Sequence, residues 1–136
     1  MAASKEIEIG TKPQIKYNDD GLVPAIVQDA ESGTILMMAW MNEAAVHHTL
    51  ECGNATFYSR SRQKMWVKGE SSGHTQKVIE LLVDCDQDAI VLRVESHGPA
   101  CHVGYKTCFY RALSPETKEY VFTEELAFNP DDVYNS

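Results

Sequence analysis

The stretch from Asp84 to Arg111 constrains this chain most. At its centre lies AIVLRVE (Ala89–Glu95), the strongest strand pattern in the sequence, apolar and rich in β-branched residues. DCDQDA (Asp84–Ala89) precedes it, and SHGPACHVGYKTCFYR (Ser96–Arg111) follows. Three of the four cysteines, three closely spaced aspartates and two of the five histidines fall here. Such a density of ligand-type side chains points to a metal-dependent catalytic centre on a β-rich scaffold.

The 136 residues fit one domain, 1–136, with a core at about 22–113, an N-terminal arm and an acidic tail from about Asn129. Twelve basic residues against twenty acidic ones give a formal charge of −8. That balance argues against nonspecific binding to nucleic acid or to anionic membranes. No apolar run approaches the roughly 20 residues of a membrane helix, and the start MAASKEIEIG has no signal-peptide core. The expected location is therefore cytoplasmic. Thiols stay reduced there, so clustered cysteines point to metal or catalysis before disulfides.

Residues 1–20 are weakly patterned, with Ile7, Ile9 and Ile15 suited to a short strand or arm. LVPAIVQDA (22–30) and TILMMAW (34–40) read as a hairpin across ESG, with Pro24 marking an edge or a strand start. Asn42 is a candidate N-cap for a helix over about 43–51, with Gly53 at its C-terminal end. NATFYSR, MWVKG and KVIELLVDC read as strands, and GYKTCFYRAL and KEYVF as further ones. No internal repeat or low-complexity linker divides the chain.

Cys85, Cys101 and Cys108 lack the paired C-x-x-C spacing of a structural zinc ribbon. Three thiolates would leave a fourth zinc position open for water, the mark of a catalytic site, where bound water ionises near neutral pH. The plainer alternative is three small buried hydrophobes. Asp84, Asp86 and Asp88 alternate, so on a strand they would share one face with Cys85 on the other. Such a carboxylate group suits a hard cation such as magnesium; otherwise it is a solvated acidic turn. Asp84, Asp86, Asp88 and Glu95 also match EF-hand loop positions, but Ala89 stands where that loop needs glycine, and the flanks are strand-like. His102 is a candidate acid/base or ligand, and His97 a weaker one.

YSRSRQKMWVKGESSGHTQ (58–76) gathers Arg60, Arg62, Lys64 and Lys68 in an otherwise acidic chain. Ser59, Ser61, Gly69, Ser71, Ser72 and Gly73 lie among them. Arginine forks and accessible backbone N–H groups suit phosphate. The reading is a pocket for a phosphorylated ligand, against the alternative of a solvated hairpin end. Glu70 and His74 are polar groups for base contact or proton transfer. Trp66 is read first as core and second as a stacking surface.

WVKGESSGHTQ, DCDQDA and CHVGYKTCF, in this order and preceded by NATFYSRSRQKMW, resemble the phosphoribosyl-AMP cyclohydrolase family of histidine biosynthesis. The likeness spans roughly Leu22–Arg111; Thr107 stands where serine is expected, and Met65 where leucine is usual. The resemblance implies a β-rich α+β fold: a strongly bent mixed β-sheet with little helix, in an intertwined homodimer. It implies hydrolytic opening of the C6–N1 bond of N1-(5-phosphoribosyl)-AMP by a zinc-activated water, giving the formimino-aminoimidazole carboxamide ribotide. Cys85, Cys101 and Cys108 carry over as ligands of one zinc per subunit, shared between subunits, and Asp84, Asp86 and Asp88 as magnesium ligands. His102 or His74 would deliver the proton to the leaving nitrogen. Ser59, Arg60, Ser61, Arg62, Trp66, Lys68, Gly69, Glu70, Ser72 and Gly73 are the substrate-binding candidates. The chain is expected to be a free-standing form. A nucleobase deaminase would need H-x-E and P-C-x-x-C, and neither occurs. A zinc-stabilised nucleotide-binding module without turnover is the non-enzymatic alternative.

Overall fold

The computed structural model describes residues 2–101 and 103–126. The candidate acid/base His102 and the acidic tail lie outside the described residues. The chain folds around a four-stranded mixed sheet of β1 (Val23–Asp29), β2 (Ile35–Met41), β5 (Gln76–Val83) and β6 (Ile90–Ser96), in the order β2-β1-β6-β5. β1 pairs antiparallel with β2 and parallel with β6, and β6 pairs antiparallel with β5. Two hairpins complete the strands: β3 (Thr56–Ser59) with β4 (Lys64–Val67), and β7 (Arg111–Leu113) with β8 (Tyr120–Phe122). Among the described residues helix is limited to α1 (Ala2–Ile9) and α2 (Glu43–Cys52). The expected β-rich α+β class with a mixed sheet and little helix agrees with this architecture. Among the described residues no helix is long and apolar enough to cross a membrane.

Period-two alternation decides which sheet face is inside. Val23, Ala25 and Val27 of β1 and Ile90, Leu92 and Val94 of β6 point one way and are buried. They pack with Met37, Met41, Ala45, Val46, Ala55 and Phe57, so α2 and the β3–β4 hairpin cover that face. The other face carries an apolar row, because Ile26 pairs with both Met38 and Val91, and Val91 pairs with Leu82. Met38, Ile26 and Leu82 remain 40%, 37% and 42% exposed.

α2 begins and ends where local chemistry dictates. The Asn42 side chain accepts from the Ala45 backbone N–H at 2.8 Å, satisfying a first-turn donor. Gly53 closes the helix in the left-handed region, at φ 79°, and its N–H donates to Thr49 O.

Three expectations need correction, and one pair of alternatives is decided. Residues 2–9 form the helix α1, not a strand: ASKEIEI pairs good helix formers with no partner strand to extend it. Of the two readings of Pro24, the strand start holds and the edge does not: it is the second residue of an interior strand, and the parallel ladder to β6 begins only at Ala25, so no bond needs the missing N–H. Of the segment 104–113 only Arg111–Leu113 is a strand, and residues 104–110 form a loop. Finally, Asp84–Ala89 is the turn joining β5 to β6, so the aspartates do not share a strand face.

Asn42→Ala is expected to lower the unfolding free energy by about 1 kcal/mol, the typical worth of a helix N-cap. Urea denaturation of the zinc-supplemented protein measures this directly, and an unchanged midpoint would show that the cap contributes nothing.

Candidate functional site

The acidic turn has a defined internal geometry. Asp84 N donates to Ala89 O at 3.2 Å, and Gln87 N to Asp84 O at 3.0 Å. The Asp84 side chain accepts from the Asp88 backbone N–H at 3.0 Å. Partial desolvation opposes the Asp84 carboxylate, yet hydrogen bonds from Asp88 and from the Ala89 and Gln87 backbone hold it below the usual range. Asp88 is pushed up by its side-chain hydrogen bond to Asp84, then by desolvation and by the charges of Asp84 and Asp86. The opposite shifts reflect two carboxyls held in hydrogen-bond contact, where crowded negative charge is costly.

At the opposite end of β6 the chain forms a tight loop. Ala100 N donates to Lys106 O at 3.0 Å, and Cys101 N to Tyr105 O at 3.2 Å. This loop docks on the outer edge of β2. The β1–β2 register passes from Val27↔Met37 to Gln28↔Ile35, skipping Leu36. The bulge frees the Leu36 carbonyl, which accepts the Cys108 backbone N–H at 2.6 Å. Thr107, buried beside it, donates its hydroxyl to Ile35 O at 2.6 Å and accepts from Phe109 N at 2.9 Å. A serine at this position offers the same hydroxyl, so the Thr107 departure keeps the anchoring chemistry.

The docking brings Cys101 and Cys108 into side-chain contact. Although Cys108 is exposed to solvent, desolvation around its thiol where the loop packs pushes it up to about 12, reinforced by the charge and hydrogen bond of Cys101. Lys68 reaches the same place, its Nζ donating to Ala100 O at 2.7 Å. Burial lowers the Lys68 ammonium, while Cys108 and Cys101 pull the other way. Lys68 therefore sits against the cysteine loop, apart from its exposed basic neighbours.

The ligand-type side chains meet in pairs among the described residues. Among the described residues no three cysteine, histidine or carboxylate side chains gather as a metal-ligand group. Cys85 lies in the acidic turn before β6, and Cys101 and Cys108 lie beyond its far end. Seven strand residues separate the two ends, a span of about 20 Å at the usual rise per residue.

His74 stands close to the cysteine loop. A Cβ on Gly98 would lie 2.5 Å from His74 Cδ2, so the imidazole packs directly on the Gly98 backbone. Gly69 likewise leaves room for the His74 main chain, and both glycines have positive φ. His97 is placed elsewhere, its Nδ1 3.1 Å from Thr75 Oγ1.

The basic corner is divided as well. Arg60, Ser61 and Arg62 form the exposed β3–β4 turn, where Ser59 Oγ accepts from Arg62 N at 3.2 Å. The Arg60 guanidinium lies 4.9 Å over the Trp40 ring. Trp66 packs on Phe57 at 5.1 Å and against the core, in line with its first reading. Glu70, Ser72 and Gly73 belong to the turn after β4, where Ser72 Oγ accepts from His74 N at 3.2 Å.

Sequence reasoning passed over Gln87. It is only 5% exposed within an otherwise exposed turn, and its φ of 57° is left-handed. The only hint in the sequence is an uncharged residue amid three aspartates.

Gly98→Ala is expected to displace the His74 ring, read as a change in its imidazole proton resonances. Gly73→Ala, whose added Cβ meets nothing within 4 Å, is expected to leave them in place despite its positive φ. Equal ring shifts in both variants would disprove the Gly98 contact.

Comparison with known proteins agrees with these motifs. The family model for phosphoribosyl-AMP cyclohydrolase matches residues 37–110. The chain is 52% identical to phosphoribosyl-AMP cyclohydrolase of Chlorobium phaeobacteroides over 98% of this chain and 97% of that protein. It is 48% identical to the enzyme of that name from Prosthecochloris aestuarii over the same shares of both chains. Against that of Dinoroseobacter shibae it is 59% identical over 73% of this chain and 83% of the relative. With its cysteine loop, acidic turn and basic hairpin inside or beside the matched segment, the chain belongs to the phosphoribosyl-AMP cyclohydrolase family.

Proposed function

We propose that this protein hydrolyses the C6–N1 bond of N1-(5-phosphoribosyl)-AMP, as a homodimer whose zinc sites are shared between subunits and whose aspartate turns hold magnesium. The observation that carries the reaction is the relationship to phosphoribosyl-AMP cyclohydrolases over nearly the whole chain.

The donor chemistry fits both ions. Cys101 and Cys108 are soft sulfur donors already in contact, suited to zinc. Asp84 and Asp88 are hard oxygen donors in hydrogen-bond contact, with the charge of Asp86 beside them, a donor set suited to a divalent cation. The shared zinc is supported by the placement of Cys85 at the other end of β6, which leaves each cysteine pair in need of a third sulfur from a second copy. The apolar row of exposed Met38, Ile26 and Leu82 with half-buried Val91 supports association, since an apolar sheet face of this kind favours burial.

When bound, zinc would supply a water that ionises near neutral pH. The protein's own groups do the rest. Arg60 and Arg62, on the exposed hairpin tip, attract the substrate's phosphates. Lys68 holds the Ala100 carbonyl and with it the Cys101 loop. His74, fixed against Gly98, and His102 are the candidates to donate a proton to the departing N1.

Cys101→Ser is expected to lose zinc and ring-opening activity together, read by metal analysis and the ultraviolet change on ring opening. Full activity without zinc would refute the reading. Sharing is tested by complementation. Cys85→Ser and Cys101→Ser, each inactive alone, should recover roughly a quarter of parental activity after unfolding and refolding as an equal mixture, the statistical yield of one intact site in each mixed dimer. No recovery would mean that each site is built within one chain. Because the zinc-free Cys108 thiol stays protonated to about pH 12, zinc uptake must displace its proton. Apparent zinc affinity should therefore rise with pH between pH 6 and 8, by about tenfold per unit for each proton released; chelator competition measures this.

A further inference from the structure

We propose that Gln87 is a positioning residue that latches the N-terminal arm onto the acidic turn and so sets the geometry of its carboxylates for a divalent cation. The inference rests on the magnesium reading of Asp84, Asp86 and Asp88.

Four hydrogen bonds converge on this one residue. Its Oε1 accepts from Gln14 N at 2.8 Å, and its Nε2 donates to Ile7 O at 2.9 Å. Its carbonyl accepts from Lys16 N at 2.7 Å, and its own N–H donates to Asp84 O at 3.0 Å. The side chain thus spans from the end of α1 to the extended arm, while the backbone ties the arm to the turn. Ile15 and Tyr17 anchor the arm further by packing against the core.

The latch has a chemical setting. Between arm and turn lies a cavity of about 650 Å³, lined by Ile7, Glu8, Gln14, Lys16, Asp86 and Asp88, among others. The arm therefore forms one wall of the space that two of the three aspartates face. Carboxylates in an exposed turn are free to splay apart. A buried, doubly bonded residue between Asp86 and Asp88 restricts the backbone that carries both. Groups that orient metal ligands without touching the metal are worth roughly 10–100-fold in metal affinity when removed. Gln87 adopts this role at a positive φ that side chains rarely occupy, so its neighbours must hold it there.

The test uses the full-length, zinc-loaded protein with Mn2+ as a paramagnetic stand-in for magnesium, followed by electron paramagnetic resonance, with calorimetric Mg2+ titration alongside. Gln87→Gly keeps a residue at ease with positive φ while removing the latch. Gln14→Pro removes the N–H that Oε1 accepts and leaves the turn untouched. Both are expected to weaken Mn2+ binding by about tenfold or more, with zinc content unchanged and the protein folded at the assay temperature. Parental affinity in both variants would overturn the latch and leave a purely structural contact, seen only as a lower melting temperature. If the parent shows no Mn2+ binding that Asp86→Asn abolishes, the cation reading of the turn fails, and the latch fails with it.

Discussion

The parallel pairing of β1 with β6 is the constraint on which the rest of the structure depends. It places Val23, Ala25 and Val27 beside Ile90, Leu92 and Val94, and these six side chains form the floor of the core. Parallel neighbours cannot be joined by a tight turn, so the chain must travel between them. That journey contains β2, α2, the β3–β4 hairpin and β5. The basic hairpin and His74 lie on this excursion, and the acidic turn and the cysteine loop lie at the two ends of β6. The strand acts as a spacer that keeps the acidic turn and the cysteine loop apart.

Much of this organisation is legible in the sequence because strong local signals agree with the tertiary outcome. The β1–β2 hairpin, the α2 caps at Asn42 and Gly53, and the β6 strand are all written in short-range chemistry. Three features are not. The alternation Asp84, Asp86, Asp88 has strand periodicity, but the tight bonding between Asp84 and Ala89 turns it into a hairpin end. The residues around Cys108 have strand composition, yet their backbone bonds are spent on a bulged Leu36 that no local pattern announces. The isoleucines of residues 7–15 suggest a strand, while helical propensity takes residues 2–9 and the core takes Ile15.

The site is legible in kind but not in arrangement. Cysteine, aspartate and histidine identities reveal which chemistry is available. Spacing along the chain says little about distance when a rigid strand lies between the groups, and Cys85 and Cys101 are a case in point. Lys68 shows the same limit from the other side. It belongs by sequence to the basic run of Arg60, Arg62 and Lys64, yet it folds inward to the Ala100 carbonyl and the thiols. Local sign reversal identifies a cationic region; packing decides which cation faces water.

The docking of the cysteine loop on β2 has a second meaning. β2 is an outermost strand, and an outermost strand with free carbonyls is a template for unwanted sheet growth. Cys108 and Thr107 occupy the Ile35 and Leu36 carbonyls, so the loop that presents the thiols also blunts that border. Chemistry and solubility are thereby placed under the same few bonds. A lesion that loosens the loop would uncover these carbonyls at the border of the sheet as well as part Cys101 from Cys108.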